Sequence, residues 1–304
     1  MQPSIPATQL VDPAIPAERL LRWRREQLAL GGEPAQLDWL LEMEGGLGWQ
    51  ALQALRLHSD RSVKLRCSLT HLHHLWQCHL QRREPLQYLV GCSPWRDLQL
   101  AVGPGVLIPR QETELLVELA LDHVQGLLPQ LPLAWADLGT GSGCVAIALA
   151  QALRASPGLA VDCSPAALSQ AAANGLACGV NGRLEWLQGS WWQPLRPWWG
   201  QLGLVVSNPP YIPTAELASL DPVVRWHEPL LALDGGPDGL AALRAVAQGA
   251  AAALAPGGVL LLEHHYDQSP AVLALCHAAG LVHVQAHRDL EGRWRFASAR
   301  RRQP

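Results

Sequence analysis

The chain has 304 residues, 49% of them apolar and 16% charged, and a formal net charge of −3. That balance excludes a disordered, collagen-like or strongly polyanion-binding chain, and the length allows one large domain or two ordinary ones with a substantial core. Seven cysteines, odd in number and without a C-x-x-C pair, disfavour a disulfide framework and a zinc knuckle and fit a reducing cytoplasm.

Residues 1–16 carry no positive charge and no apolar run, so they do not read as a signal peptide, and no stretch approaches 18 uninterrupted apolar residues. From 17 to 83, Leu, Ala and Trp recur with charges on other faces, and Gly31–Gly32 and Gly45–Gly46 punctuate them. This predicts short amphipathic helices forming a small all-α domain over residues 1–83. His71, His73, His74, Cys78 and His79 fall in one of these helices, with His74 and Cys78 on one face. A zinc site takes four converging ligands and no second pair stands nearby, so no metal is expected.

Over residues 84–109, Leu98, Leu100 and Val102 alternate with Gln99 and Ala101 among Gly91, Gly103 and Gly105, which predicts a β-hairpin linker. After residue 109, helical stretches alternate with apolar runs at 133–138, 158–161, 184–187, 202–206 and 258–262. Strands spaced in this way predict an α/β domain over 110–304, a parallel sheet covered on both faces. The stretch 245–262 reads as helix, turn, strand, and the runs 282–286 and 294–299 as a closing antiparallel pair. Glu112 and Glu114 head a helix and suit its dipole. Arg288, Arg293, Arg295, Arg300, Arg301 and Arg302 read as a solvated edge, and His264 and His265 beside Glu263 lack the spacing of a metal motif.

Two segments carry chemistry. In Asp137-Leu-Gly139-Thr140-Gly141-Ser142-Gly143 an apolar strand runs through a glycine-rich turn into a helix, where backbone can approach a ligand closely and helical N–H groups stand free. The next apolar run ends at Asp162, a carboxylate placed to accept both hydroxyls of a ribose. Together they predict an adenosine site and leave the compound open. The glycines are spaced by two rather than as G-x-G-x-x-G, and Asp137 before the turn suits a cationic sulfonium better than a pyrophosphate.

Further on, Asn208-Pro209-Pro210-Tyr211 follows a buried strand. Two prolines fix φ and remove donors, so the Asn208 side-chain oxygen and the Pro209 carbonyl form an acceptor pair for an NH₂ group against which Tyr211 packs. Such a clamp holds a nitrogen at attack distance from a methyl sulfonium and favours the charge that develops on it. The chemistry expected is methyl transfer without a strong general base, because a methylated, unconjugated amide nitrogen releases its proton to water.

These residues resemble the class I S-adenosylmethionine-dependent methyltransferases, and among them the PrmC/HemK family, which methylates the glutamine side-chain amide of peptide-chain release factors. The resemblance covers nearly all of the chain after Arg82. It includes Glu84-Pro-Leu-Gln-Tyr88, Leu107-Ile-Pro-Arg-Gln-Glu-Thr-Glu114, Val161-Asp-Cys-Ser-Pro-Ala-Ala-Leu168, Glu228-Pro-Leu-Leu-Ala-Leu233 and Asp238-Gly-Leu240. It implies a Rossmann-like seven-stranded sheet, S-adenosyl-L-methionine as cofactor, and an N-terminal domain that binds the substrate. By position it implies that Gly139, Thr140, Gly141, Ser142 and Gly143 wrap the cofactor, that Asp162 holds its ribose, and that Trp191 stands beside it. Asn208 would touch both cofactor and substrate, with Pro209, Pro210 and Tyr211 completing the grip. Gln111 stands where the family has Pro, and His264-His265 where it has Ile-Gly.

The expectation is therefore a release-factor glutamine methyltransferase, monomeric and cytoplasmic, with no membrane partner and no direct nucleic-acid binding. A ribosomal-protein glutamine methyltransferase shares the chemistry. A DNA adenine methyltransferase would use the same turn, but calls for a basic face that a net negative chain does not announce. An inactive cofactor-binding scaffold is opposed by the intact Asn208 and Tyr211.

Overall fold

The computed structural model describes residues 14–58, 60–125 and 134–304. The leader reading of 1–16 lies mostly outside them, as does residue 133 of the first apolar run. The chain divides into two compact units, Met1–Gly91 and Cys92–Pro304, so the division falls inside the segment read as a linker.

The first unit holds β1 (Ile15–Pro16), α1 (Ala17–Ala29), α2 (Pro34–Met43), α3 (Trp49–Leu57), β2 (Ser62–Val63), α4 (Leu69–Arg82) and α5 (Leu86–Val90). Leu20, Trp23 and Gln27 recur at helical spacing and bury one face of α1. With Leu37, Leu40, Leu52, Leu72 and Trp76 they close a single core. The histidines of α4 serve this packing: His73 Nδ1 meets the Gln27 side chain at 2.7 Å, and His79 Nδ1 the Glu84 carbonyl at 2.8 Å. His74 and Cys78 approach to 3.7 Å, and among the described residues no third ligand-type side chain joins them.

The second unit opens with the hairpin β3 (Cys92–Trp95) and β4 (Leu98–Ala101), paired antiparallel. There follow α6 (Glu114–Gln125), β5 (Ala134–Leu138), α7 (Cys144–Ala152), β6 (Gly158–Asp162), α8 (Pro165–Ala177), β7 (Leu184–Gln188), β8 (Leu202–Ser207), α9 (Pro222–His227), α10 (Ala241–Ala253), β9 (Leu254–Glu263), α11 (Ser269–Ala278), β10 (Val282–Arg288) and β11 (Trp294–Arg300). Seven of these strands form one sheet in the order β10-β11-β9-β8-β5-β6-β7. The strands from β5 to β9 run parallel, and β11 and β10 add antiparallel at one edge. Alternation divides each strand between two cores: Leu204, Val206 and Leu261 face α6 and α7, while Val205, Leu260 and Leu262 face α10 and α11. The order reverses beside β5, which opens a crevice at the carboxyl ends of β5, β6 and β8.

Two readings change. The stretch 245–262 has no free turn: β9 starts at Leu254 directly after α10, and the extra residues form a bulge, since Leu202 pairs with Leu254 but Leu204 with Val259. The arginine-rich end is solvated only in part: Arg288, Arg293 and Arg302 are exposed, but others are tied into the fold. Arg295 is 9% exposed and bonds Asp289 at 2.8 Å, and Arg301 donates to the Leu254 carbonyl; Arg288, though exposed, lies over Trp294. Among the described residues no helix is long and apolar enough to cross a membrane.

The sheet is tightly packed at Gly158, which lies between Trp135 and Leu184 in register. A Cβ there would fall 2.3 Å from the Trp135 ring and 2.7 Å from Leu184. The ring is buried on a central strand and cannot swing away. Gly158→Ala is therefore expected to cost about 1–3 kcal/mol, read as a lower urea midpoint with an unchanged slope.

Candidate active site

The glycine turn joins β5 to α7 and is held from below. The Asp162 carboxylate, at the end of β6, accepts the Gly141 N–H at 2.9 Å through Oδ2 and the Ser164 N–H at 2.9 Å through Oδ1. Gly139 and Gly141 have φ of +77° and +57°, the left-handed region where a side chain is strained. A Cβ on Gly141 would meet nothing within 4 Å. Both glycines line a cavity of about 390 Å³, together with Val161, Asp162, Cys163, Gly189, Ser190, Trp191 and Asn208. Trp191 sits at φ +47°, a left-handed backbone for a bulky residue, which turns its ring toward Gly139.

Three residues of the same turn stand outside the cavity lining. Thr140, 4% exposed, gives its hydroxyl to Asp137 at 2.7 Å, and Ser142 is 2% exposed, so both side chains point into the fold. Gly143 abuts Ala171 and Ile147, where a Cβ would come within 3.2 Å of each, so its lack of a side chain serves helix packing. Asp137 is likewise buried rather than presented to a ligand: burial pushes its carboxyl up to about 7 against the pull of Thr140, and the Asp162 charge adds to the rise. It ties the turn to its strand.

The Asn-Pro-Pro-Tyr segment leaves the end of β8, whose Ser207 hydroxyl donates to the Leu138 carbonyl at 2.7 Å. The chain beyond is pinned, with Ile212 N–H bonded to Leu233 and Gly235 N–H to the Ile212 carbonyl. Gln268 Nε2 donates to the Tyr211 carbonyl at 2.9 Å. Asn208 Nδ2 donates to Thr113 Oγ1 at 3.0 Å, which leaves Oδ1 as the end that can accept. Asn208 also lines a second cavity of about 270 Å³ with Leu107, Arg110, Pro209, Tyr211, Leu220 and Val224. It is thus a shared wall of two adjoining spaces, one bounded by the glycine turn and the other by apolar side chains and the phenol.

The proteins this chain is similar to include a "Release factor glutamine methyltransferase" of Prochlorococcus marinus, 49% identical over 94% of this chain and 97% of that one. Another of the same name, from Synechocystis, is 40% identical over the same shares. The chain belongs to the release factor glutamine methyltransferase family. No protein-family model matches it. Among solved structures, the catalytic domain of hMettl16 in complex with an RNA hairpin shares the fold, at TM-score 0.50 and 12% identity over 81% of this chain and 85% of that one. The sheet and its neighbours make this a class I methyltransferase fold, and the enzyme class is that of a methyltransferase.

Within the family's frame, the structure brings Gly139, Gly141, Asp162, Trp191 and Asn208 to one cavity and Asn208, Pro209 and Tyr211 to the next, while Pro210 lines the first. Sequence reasoning missed the connections among distant segments. Arg110 bonds Glu228 at 2.6 Å across the second cavity's wall, and Glu228 also accepts the Ile108 N–H. The Arg110 carbonyl takes the Trp95 indole N–H at 2.7 Å, so the loop holding Gln111 is fixed from both sides without the family's proline. Thr113 was missed as well, and only the folded chain brings it to Asn208.

Proposed function

We propose that this chain transfers a methyl group from S-adenosyl-L-methionine to the side-chain amide nitrogen of a glutamine in peptide-chain release factors. The observation that carries the reading is Asn208: its Nδ2 is spent on Thr113, so its Oδ1 is the acceptor available where the two cavities meet.

The larger cavity fits the cofactor. Each Asp162 oxygen already accepts one backbone N–H and keeps lone pairs for a ribose hydroxyl. The empty side-chain position of Gly141 admits a ligand against the backbone, and the Trp191 ring supplies a flat wall. Gly139, Gly141, Asp162 and Trp191 would hold the molecule, while Thr140, Ser142 and Gly143 would act by building the turn. The bound cofactor supplies an electrophilic methyl carbon on a cationic sulfur.

In the smaller cavity Asn208 Oδ1 and the Pro209 carbonyl would each accept one hydrogen of the glutamine NH₂, with Tyr211 against the planar amide. These acceptors gain strength as positive charge grows on nitrogen and its lone pair leaves conjugation. One such bond, aimed at developing charge in a dry pocket, is worth about 3 kcal/mol in the barrier. The amide proton then departs to water. The helical first unit would bind the rest of the release factor in the cytoplasm, where a monomer suffices because one chain supplies both cavities.

The test supplies isotopically labelled S-adenosylmethionine with purified release factor, ribosomal protein and DNA in separate reactions, and locates the label by mass spectrometry. The expected product carries one methyl on a release-factor glutamine amide. Label confined to ribosomal protein or to adenine, or absent from all three, contradicts the proposal.

A further inference from the structure

Gln268 heads α11, where a polar side chain ordinarily accepts a backbone N–H of its own first turn. It makes no such bond. The residue is 8% exposed, and its carboxamide is spent instead on the backbone of three other segments. Oε1 accepts the His265 N–H at 3.0 Å, in the turn that leaves β9. Nε2 donates to the Tyr211 carbonyl at 2.9 Å, beyond β8, and to the Gly239 carbonyl at 3.3 Å, before α10. Turning the carboxamide over would set an acceptor against two carbonyls and a donor against an N–H, so its partners fix its sense.

Gly239 makes room for the contact. Its φ is +72°, and a Cβ on it would fall 2.6 Å from Gln268 Nε2 and closer still to the Tyr211 carbonyl oxygen. The glycine and the glutamine thus serve one junction, and it closes the Asn-Pro-Pro-Tyr segment. The peptide that follows Tyr211 is bonded at both ends: its carbonyl to Gln268, and its N–H, that of Ile212, to the Leu233 carbonyl at 3.0 Å. A planar unit held in this way fixes ψ of Tyr211, and with it the backbone from which the phenol projects. The same glutamine holds the backbone of His265, whose ring neighbours the phenol at 6.2 Å between centroids.

We infer that Gln268 is a positioning residue for methyl transfer: it holds the Tyr211 carbonyl and thereby the phenol against which the glutamine amide packs. The inference rests on the function proposed above. Tyr211 lines the smaller cavity and stands outside the lining of the larger, so the effect belongs to turnover rather than to cofactor binding.

The experiment measures kcat and KM for release-factor methylation from pH 6 to 9, and S-adenosylhomocysteine affinity by calorimetry, for the wild type, Gln268→Met and Gln268→Glu. Gln268→Met keeps the length of the side chain and loses its hydrogen bonds, so kcat is expected to fall about tenfold or more with cofactor affinity within about threefold. Gln268→Glu reports the donor itself. A neutral carboxyl can accept from His265 and donate to Tyr211, whereas a carboxylate only accepts and faces two carbonyls. Burial favours the neutral carboxyl, and that form gains ground as pH falls through the range. The ratio of kcat in Gln268→Glu to kcat in the wild type is therefore expected to rise about fivefold or more from pH 9 to pH 6, while the Gln268→Met ratio stays flat. The titratable groups around the position are His265 with Asp267, the Tyr211 phenol, and Asp238 with Arg244; all three proteins share them, so they cancel in the ratio. Wild-type kcat in Gln268→Met, equal losses of kcat and cofactor affinity, or a pH-independent ratio in Gln268→Glu overturns the inference. A wild type that methylates no release factor overturns the proposed function, and this inference falls with it.

Discussion

Replacing Asn208 by alanine is expected to lower kcat by about 10²–10³-fold while S-adenosylhomocysteine affinity changes by less than about threefold. The side chain sits where the two cavities adjoin and contributes a single available acceptor. In the ground state that acceptor competes with water for an amide hydrogen, and the net gain is about 1 kcal/mol. As the nitrogen gains positive charge the same bond becomes charge-assisted in a site from which water is excluded, and its worth rises severalfold. The loss therefore falls on turnover rather than on cofactor binding. The Ala variant removes one side-chain hydrogen bond, that to Thr113, and leaves the β8 ladder intact, so the fold should hold. Unchanged turnover, or equal losses in kcat and cofactor affinity, would contradict the clamp.

Asp162→Ala should have the opposite signature, a loss of cofactor affinity of about 10²-fold or more together with a lower melting temperature. Two ribose hydroxyls lose a charged acceptor, at about 1.5–3 kcal/mol per bond, and about 1.4 kcal/mol is tenfold in affinity. The Gly141 and Ser164 N–H groups lose their partner too, so the turn that shapes the cavity slackens. Asp162→Asn should not rescue it. The new NH₂ would have to face one of those two N–H donors, placing donor against donor. A dissociation constant within threefold of the wild type for both variants, by calorimetry, would show that Asp162 serves the turn alone.

How legible the molecule was depended on whether each feature is contiguous in the chain. The glycine turn and Asn208-Pro209-Pro210-Tyr211 each complete their geometry within a few residues, and alternation marked the strands because the sheet is buried on both faces. The bulge that starts β9 escaped notice because Pro256, Gly257 and Gly258 are also the residues of an ordinary turn. Only the pairing of Leu202 and Leu204 with β9 distinguishes the two. Thr140 and Ser142 were read as ligand contacts from their place in the motif, whereas the fold turns their side chains inward. Nothing local marks Arg110 as the partner of Glu228, or Thr113 as the partner of Asn208, since those contacts join distant segments. The residues were visible within longer motifs; their roles arise from sheet order and register.

The most direct test of the account is a crystal structure with S-adenosylhomocysteine and a glutamine-bearing release-factor peptide bound together. The glutamine amide nitrogen is expected within about 3 Å of both Asn208 Oδ1 and the Pro209 carbonyl, facing the sulfur, with Asn208 Nδ2 still on Thr113. A glutamine seated elsewhere, or an Asn208 oxygen turned away from it, would contradict the account.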